Sequence, residues 1–223
     1  MVLKTLYPAY HSMATTNSDH FRNQLDKVTL TPLEKDRYNG VRYNIRINES
    51  GLEVPLRLPG CMLQTGPLHK EEAYIYAWPE SQTDDDFVEF EKSVTILEKY
   101  IKEKLANKYD EYTPMIRSDR RNGITIKTYT TKEPKKISSR FVESSGETID
   151  PNTDERLVSK NTSRTIYPII NVDSIYISAD KRSLSVQLKI SECVIFFSDV
   201  KSVLDLDMIN KMRAMKLSKR GKK

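Results

Sequence analysis

The sequence predicts a mainly β protein: a small closed barrel of short strands, with one amphipathic helix inserted and a second appended. Three observations predict it. Several segments alternate apolar and polar residues with period two, the mark of strands with one buried and one wet face. A long apolar stripe at helical spacing occupies residues 84–106. Helices are missing between most strands, which argues against a parallel α/β sheet, whose neighbouring strands need helical crossovers.

Residues 1–35 show no clear period and carry Asn, Thr and Ser in quantity, so they read as an arm or loosely packed extension before a body at 36–198. Asn39-Gly40 is a turn signal. After it Val41, Tyr43, Ile45 and Ile47 alternate with Arg42, Asn44 and Arg46. Ser50-Gly51 turns the chain into Leu52 to Leu58, which completes a hairpin, and Pro55 argues for an edge or bulge there. Cys61 to Leu63 and Ala73 to Trp78 supply shorter strands. Tyr74, Tyr76 and Trp78 share one face of the latter; the tyrosines read as core, and Trp78 is open to either role.

Asp84-Asp85-Asp86 opens the clearest helix, with Phe87, Phe90, Val94, Leu97, Ile101 and Leu105 as one stripe. The aspartates sit where the helix macrodipole favours negative charge, and Lys99, Lys102, Lys104 and Lys108 lie towards the other end. Capping accounts for the aspartates without a metal, because cation sites need converging ligands. A loop, Ser144 to Thr162, is polar enough to be mobile and long enough to be either functional or disordered. Thr165 to Ser178 is the strongest strand signal, followed by an Ala179-Asp180-Lys181-Arg182 turn. Leu184, Val186, Leu188 and Ile190 then alternate with Ser185, Gln187, Lys189 and Ser191, and Cys193 to Phe197 reads as a fully buried strand. Asp199 is placed to cap a final helix carrying Val200, Val203, Leu204, Met208, Met212 and Met215, which runs into a basic tail within 199–223. This pattern fits an OB-fold-like small β-barrel.

Composition bounds the function. The 223 residues are 38% hydrophobic and 30% charged, with a mean hydropathy of −0.59. No run approaches the roughly 18 apolar residues that cross a bilayer, and the N-terminal residues carry no apolar leader core, so neither membrane partner nor secretion is expected. Cys61 and Cys193 read as buried thiols of an intracellular protein, neither a zinc site nor a disulfide framework. The net charge of +5 rests on a tail: Lys211, Arg213, Lys216, Lys219, Arg220, Lys222 and Lys223 are seven cations, leaving 29 basic against 31 acidic residues elsewhere. A nucleic-acid role must therefore rest on local patches.

One such patch lies between Tyr112 and Phe141. From Pro114 to Arg140 there are eight Lys or Arg against Asp119 and Glu133. Within it Ile124, Ile126 and Thr128 alternate with Thr125, Lys127 and Tyr129, a strand with a basic, aromatic-bearing wet face. Such a face tracks phosphates and stacks bases. The candidate contacts are Arg117, Arg120, Arg121, Lys127, Tyr129, Lys132, Lys135, Lys136 and Arg140, with Arg42 and Arg46 extending the groove from the first hairpin.

No catalytic constellation accompanies them. His11, His20 and His69 form no metal-spaced pair, seven glycines build no phosphate-cradling loop, and no nucleophile elbow occurs. The sequence predicts no enzyme, no cofactor and no metal.

From the helix onward the order of elements resembles the single-stranded DNA-binding proteins of large nucleocytoplasmic DNA viruses, an OB-fold family. The resembling pieces are Leu97-Glu98-Lys99-Tyr100-Ile101, Tyr112-Thr113-Pro114-Met115-Ile116-Arg117, the strand Ile124 to Thr130, and the hairpin of Ile169 to Ile177 with Leu184 to Cys193. Tyr176 stands where the family often carries a tryptophan, and the turn after it lacks the family's glycine. The resemblance adds Tyr176 to the candidate contacts. It implies coating of single-stranded DNA (RNA remaining open) with little sequence preference during viral replication, repair or recombination. It also implies self-association along the strand and residence in the host cytoplasm, at the viral factory, or in the nucleus. Two rival classes stand beside it: a virion or scaffold component using the barrel for protein contacts, and a duplex-binding architectural protein.

Overall fold

The computed structural model describes residues 17–33, 39–118, 121–180 and 182–199. The elements in chain order are α1 (Ser18–Leu25), β1 (Val28–Pro32), β2 (Val41–Glu49), β3 (Leu52–Arg57), β4 (Leu63–Thr65), β5 (Tyr74–Pro79) and α2 (Asp85–Lys104). They continue with β6 (Glu111–Tyr112), β7 (Ile116–Arg117), β8 (Gly123–Thr128), β9 (Arg140–Glu143), β10 (Thr148–Ile149), β11 (Thr162–Ile177) and β12 (Ser183–Asp199). The predicted final helix and the basic tail, from residue 200 onward, lie outside the described residues.

Five strands close a small barrel in the ring order β11, β4, β5, β8, β12 and back to β11. Four of the five seams are antiparallel, and β8 runs parallel to β12, with Lys127 opposite Lys189. The interior takes one face of each strand: Leu63, Ile75, Ala77, Ile124, Ile126, Ile166, Leu188 and Ile190 are buried. Long β11 holds the fold together along its second edge. Its start pairs with β4, its middle with β3 and its end with β2. Register shifts at Ile169/Ile170 and Val172/Ser174 each leave one extra residue in the ladder, Ser191 on β12 and Asp173 on β11, as β-bulges do. The barrel thus continues into the β1–β2–β3 sheet.

Helix α2 forms as its sequence predicts. Asp84 caps it by accepting a hydrogen bond from the Asp86 N–H at 2.9 Å, and Phe87, Phe90, Val94, Leu97 and Ile101 are buried. Among the described residues no helix is long and apolar enough to cross a membrane. Cys61 and Cys193 are buried and unbonded, and burial pushes both thiols above the ordinary range.

Three expectations need correction. The first concerns the arm. Residues 17–33 are built into the fold: α1 packs on α2, Phe21 is fully buried, and β1 pairs with β2 from Val28 opposite Ile47 to Pro32 opposite Tyr43. Two apolar anchors on an eight-residue helix are too few to show a period. The second is the loop at 144–162. Leu157 is buried, and the Asn152 side chain clasps the backbone of Ile137, accepting from its N–H at 2.8 Å and donating to its carbonyl at 3.0 Å. The third is the end of β12, where Phe196 and Phe197 are half-buried although a fully buried strand was expected. Asp199 is the last residue of β12, opposite Thr162, and the helix it was expected to cap lies outside the described residues.

The α1–α2 contact is pH-sensitive. The Glu89 carboxylate accepts from Lys92 at 2.7 Å and from the Ser18 N–H at 3.0 Å, and these bonds lower its pKa from 4.5 to about 2. A depressed carboxylate contributes stability that is full above its unfolded value and lost as pH falls through its folded one. The Ser18 amide resonance should therefore titrate with a midpoint near pH 2, and Glu89→Gln should abolish that titration. An unchanged Ser18 titration in the variant would refute the tether.

Candidate nucleic-acid interface

The alternation of β8 turns Ile124, Ile126 and Thr128 inward and sets Thr125 and Lys127 on the outward face, where Lys127 stands partly between the cavity walls. Its antiparallel neighbour β5 places Tyr74 opposite Lys127 and Tyr76 opposite Thr125. Ile75 and Ala77 fill the barrel, so Tyr74, Tyr76 and Trp78 all stand on the outward face, half-buried. The core reading of the tyrosines is thus overturned. A five-stranded barrel is too narrow for three large rings at successive inward positions, and the smaller face of β5 goes in.

These rings are held in place. The Tyr74 ring stacks on His69 at 4.3 Å and 12°. Tyr76 and Trp78 lie 6.0 Å apart, tilted by 38°. The Trp78 indole donates to the Gln64 side-chain oxygen at 3.0 Å, and the Arg121 guanidinium sits 5.6 Å from the Trp78 ring centre. Gly123 allows the ring of Tyr76 to lie across β8: a Cβ there would stand 2.0 Å from the Tyr76 hydroxyl.

Beside this aromatic ladder the parallel β8–β12 seam gathers charge. A cavity of about 200 Å³ is lined by Arg42, Lys127, Lys135 and Lys189, with Glu72 and Asp173 as its acids. A second, of about 160 Å³, is lined by Arg117, Met115, Thr125 and Ser185 among others. Both include Lys127 and Gln187, so they form one trough along the seam. Lys189 pairs with Asp173 at 3.1 Å and lies 4.9 Å from the Tyr129 ring centre. The trough walls withhold water from the Lys127 ammonium, and Arg42 and Lys189 repel it, so its pKa falls below the ordinary lysine range despite the opposing pull of Asp173.

The remaining candidates are distributed unevenly. Tyr129 is half-buried, and its hydroxyl accepts from Asn171 at 3.2 Å. Tyr176 lies opposite Arg42 on β2, with the guanidinium 6.0 Å from its ring centre. Arg46 donates to the carbonyls of Ile45 and Asp173, which engages it with backbone. Arg140 pairs with Glu192 at 3.4 Å on β9, away from the trough. Lys132 and Lys136 are exposed on the 130–138 loop and line neither cavity. Lys135, on the same loop, donates to the Glu71 carbonyl. Arg120 lies outside the described residues.

Sequence reasoning missed Lys189 and Gln187. They sit on the wet face of the last hairpin with no charge cluster around them in sequence, and only the parallel register brings them to Lys127. Another cavity, of about 340 Å³, opens between β2–β3 and Tyr167 to Ile169. Its Arg57 and Glu49 are of opposite sign, and it gathers no cluster of one charge. The chain matches no protein-family model and no curated protein.

Proposed function

We propose that this protein binds single-stranded nucleic acid, DNA in the first place, with little sequence preference, across the outward face of β5, β8 and β12. The observation that carries the reading is the aromatic ladder Tyr74–Tyr76–Trp78 lying directly beside a cationic trough. Sequence-tolerant binders combine these two features, because every base offers a π-face and every nucleotide a phosphate. Strand order supports it. With the barrel strands numbered along the chain, the ring runs first, second, third, fifth, fourth, and the third and fifth are parallel. We take this to be an OB-fold, whose second and third strands form the oligonucleotide face; here these are β5 and β8. Coating of single strands in viral replication, repair or recombination is what the resemblance of the sequence adds to this reading.

The test is fluorescence anisotropy of a labelled oligothymidine, beside a duplex of equal length, at two salt concentrations. Binding should prefer the single strand and weaken with salt, since each phosphate contact releases condensed counterions. Equal affinity for both would assign the charge to generic attraction, and binding to neither would overturn the reading.

A further inference from the structure

We infer that the cavity bounded by Arg42, Lys127 and Lys189 is a phosphate-anchoring subsite that takes one backbone phosphodiester of a strand passing along the β8–β12 seam. The inference rests on the single-strand reading and makes it specific. Three strands distant in sequence bring the cations together: Arg42 from β2, Lys127 from β8 and Lys189 from β12. Their charges are not all answered from within. Asp173 pairs with Lys189, whereas among the described residues neither Arg42 nor Lys127 has a carboxylate within ion-pair distance. Thr130 and Gln187 add neutral hydrogen-bonding groups to the lining.

An anion here would restore what the trough walls and like charges take from the Lys127 ammonium. Phosphate oxygens accept such charge-assisted bonds well. An internal phosphodiester fits better than a terminal phosphate, because the cavity continues past Lys127 and Gln187 towards Arg117, leaving room for a chain on both sides. An acidic peptide is the competing occupant, and the test includes it.

Two readouts separate this subsite from the wider reading. The first is the salt dependence of oligothymidine binding by the full chain and by Lys127→Met, Arg42→Gln and, as a control at an exposed α2 lysine that lines neither cavity, Lys99→Gln. The slope of log K against log salt should flatten by about 0.7 for each trough variant, the share of one single-strand phosphate, and stay unchanged in the control. The second uses the unmodified protein, so it does not depend on any variant folding. Tripolyphosphate should slow acylation of Lys127 by an amine-reactive reagent several-fold and leave Lys99 unaffected, as read by peptide mass spectrometry. Oligothymidine binding with unchanged slopes and no protection overturns the subsite while sparing the single-strand reading. Protection by tripolyphosphate without oligothymidine binding supports the anion subsite and overturns the strand as its occupant. Stronger protection by polyglutamate than by tripolyphosphate assigns the cavity to acidic peptide and overturns the proposal.

Discussion

Replacing Tyr76 and Trp78 together by alanine is expected to weaken single-strand binding by about 30-fold or more. Each base–aromatic stack contributes about 1–3 kcal/mol, and every 1.4 kcal/mol is about tenfold in affinity. Two stacks therefore span about 30-fold to 10⁴-fold. The rings are neighbours at 6.0 Å, so their effects should couple, which favours the lower end. The fold should survive, because both side chains stand outside the barrel and the core beneath them is Ile75 and Ala77. Duplex binding through the cations should change little. Affinity within threefold of the unmodified protein would remove the ladder from the interface and leave charge alone to explain binding.

Phe21→Ala should destabilise the fold strongly. The side chain is fully buried in the common core although it belongs to the segment that looks like an arm. Removing a buried phenylalanine costs about 3–5 kcal/mol, a large part of the roughly 5–15 kcal/mol by which a domain is stable. Urea denaturation should show a much lower midpoint with an unchanged slope. A midpoint equal to that of the unmodified protein would mean that α1 is a detachable appendage, and the account of residues 17–33 would fail.

Much of the architecture was legible because it depends on local period. The stripe from Phe87 to Leu105 predicted α2 to within two residues at either end. The alternations at Val41–Ile47, Ile124–Thr128 and Leu184–Ile190 predicted both the strands and their inward faces. What stayed hidden was long-range. Nothing local says that β8 runs parallel to β12, so the meeting of Lys127 with Lys189 could not be read. The choice of inward face for β5 was invisible for a related reason, since both its faces are apolar and the width of the closed barrel decides between them. Arg46 and Arg140 looked like their neighbours in sequence, yet the structure engages one with backbone carbonyls and the other with Glu192.

Trp78 is the chain's single tryptophan, and it stands on the proposed stacking face. Its intrinsic fluorescence therefore reports the central claim without a label or a mutation. Titration with oligothymidine at low salt should quench the emission saturably, reverse as salt is added, and respond far less to a duplex of equal length. Oligothymidine that binds, as judged by anisotropy, while Trp78 emission stays unchanged would contradict the claim that bases stack along β5.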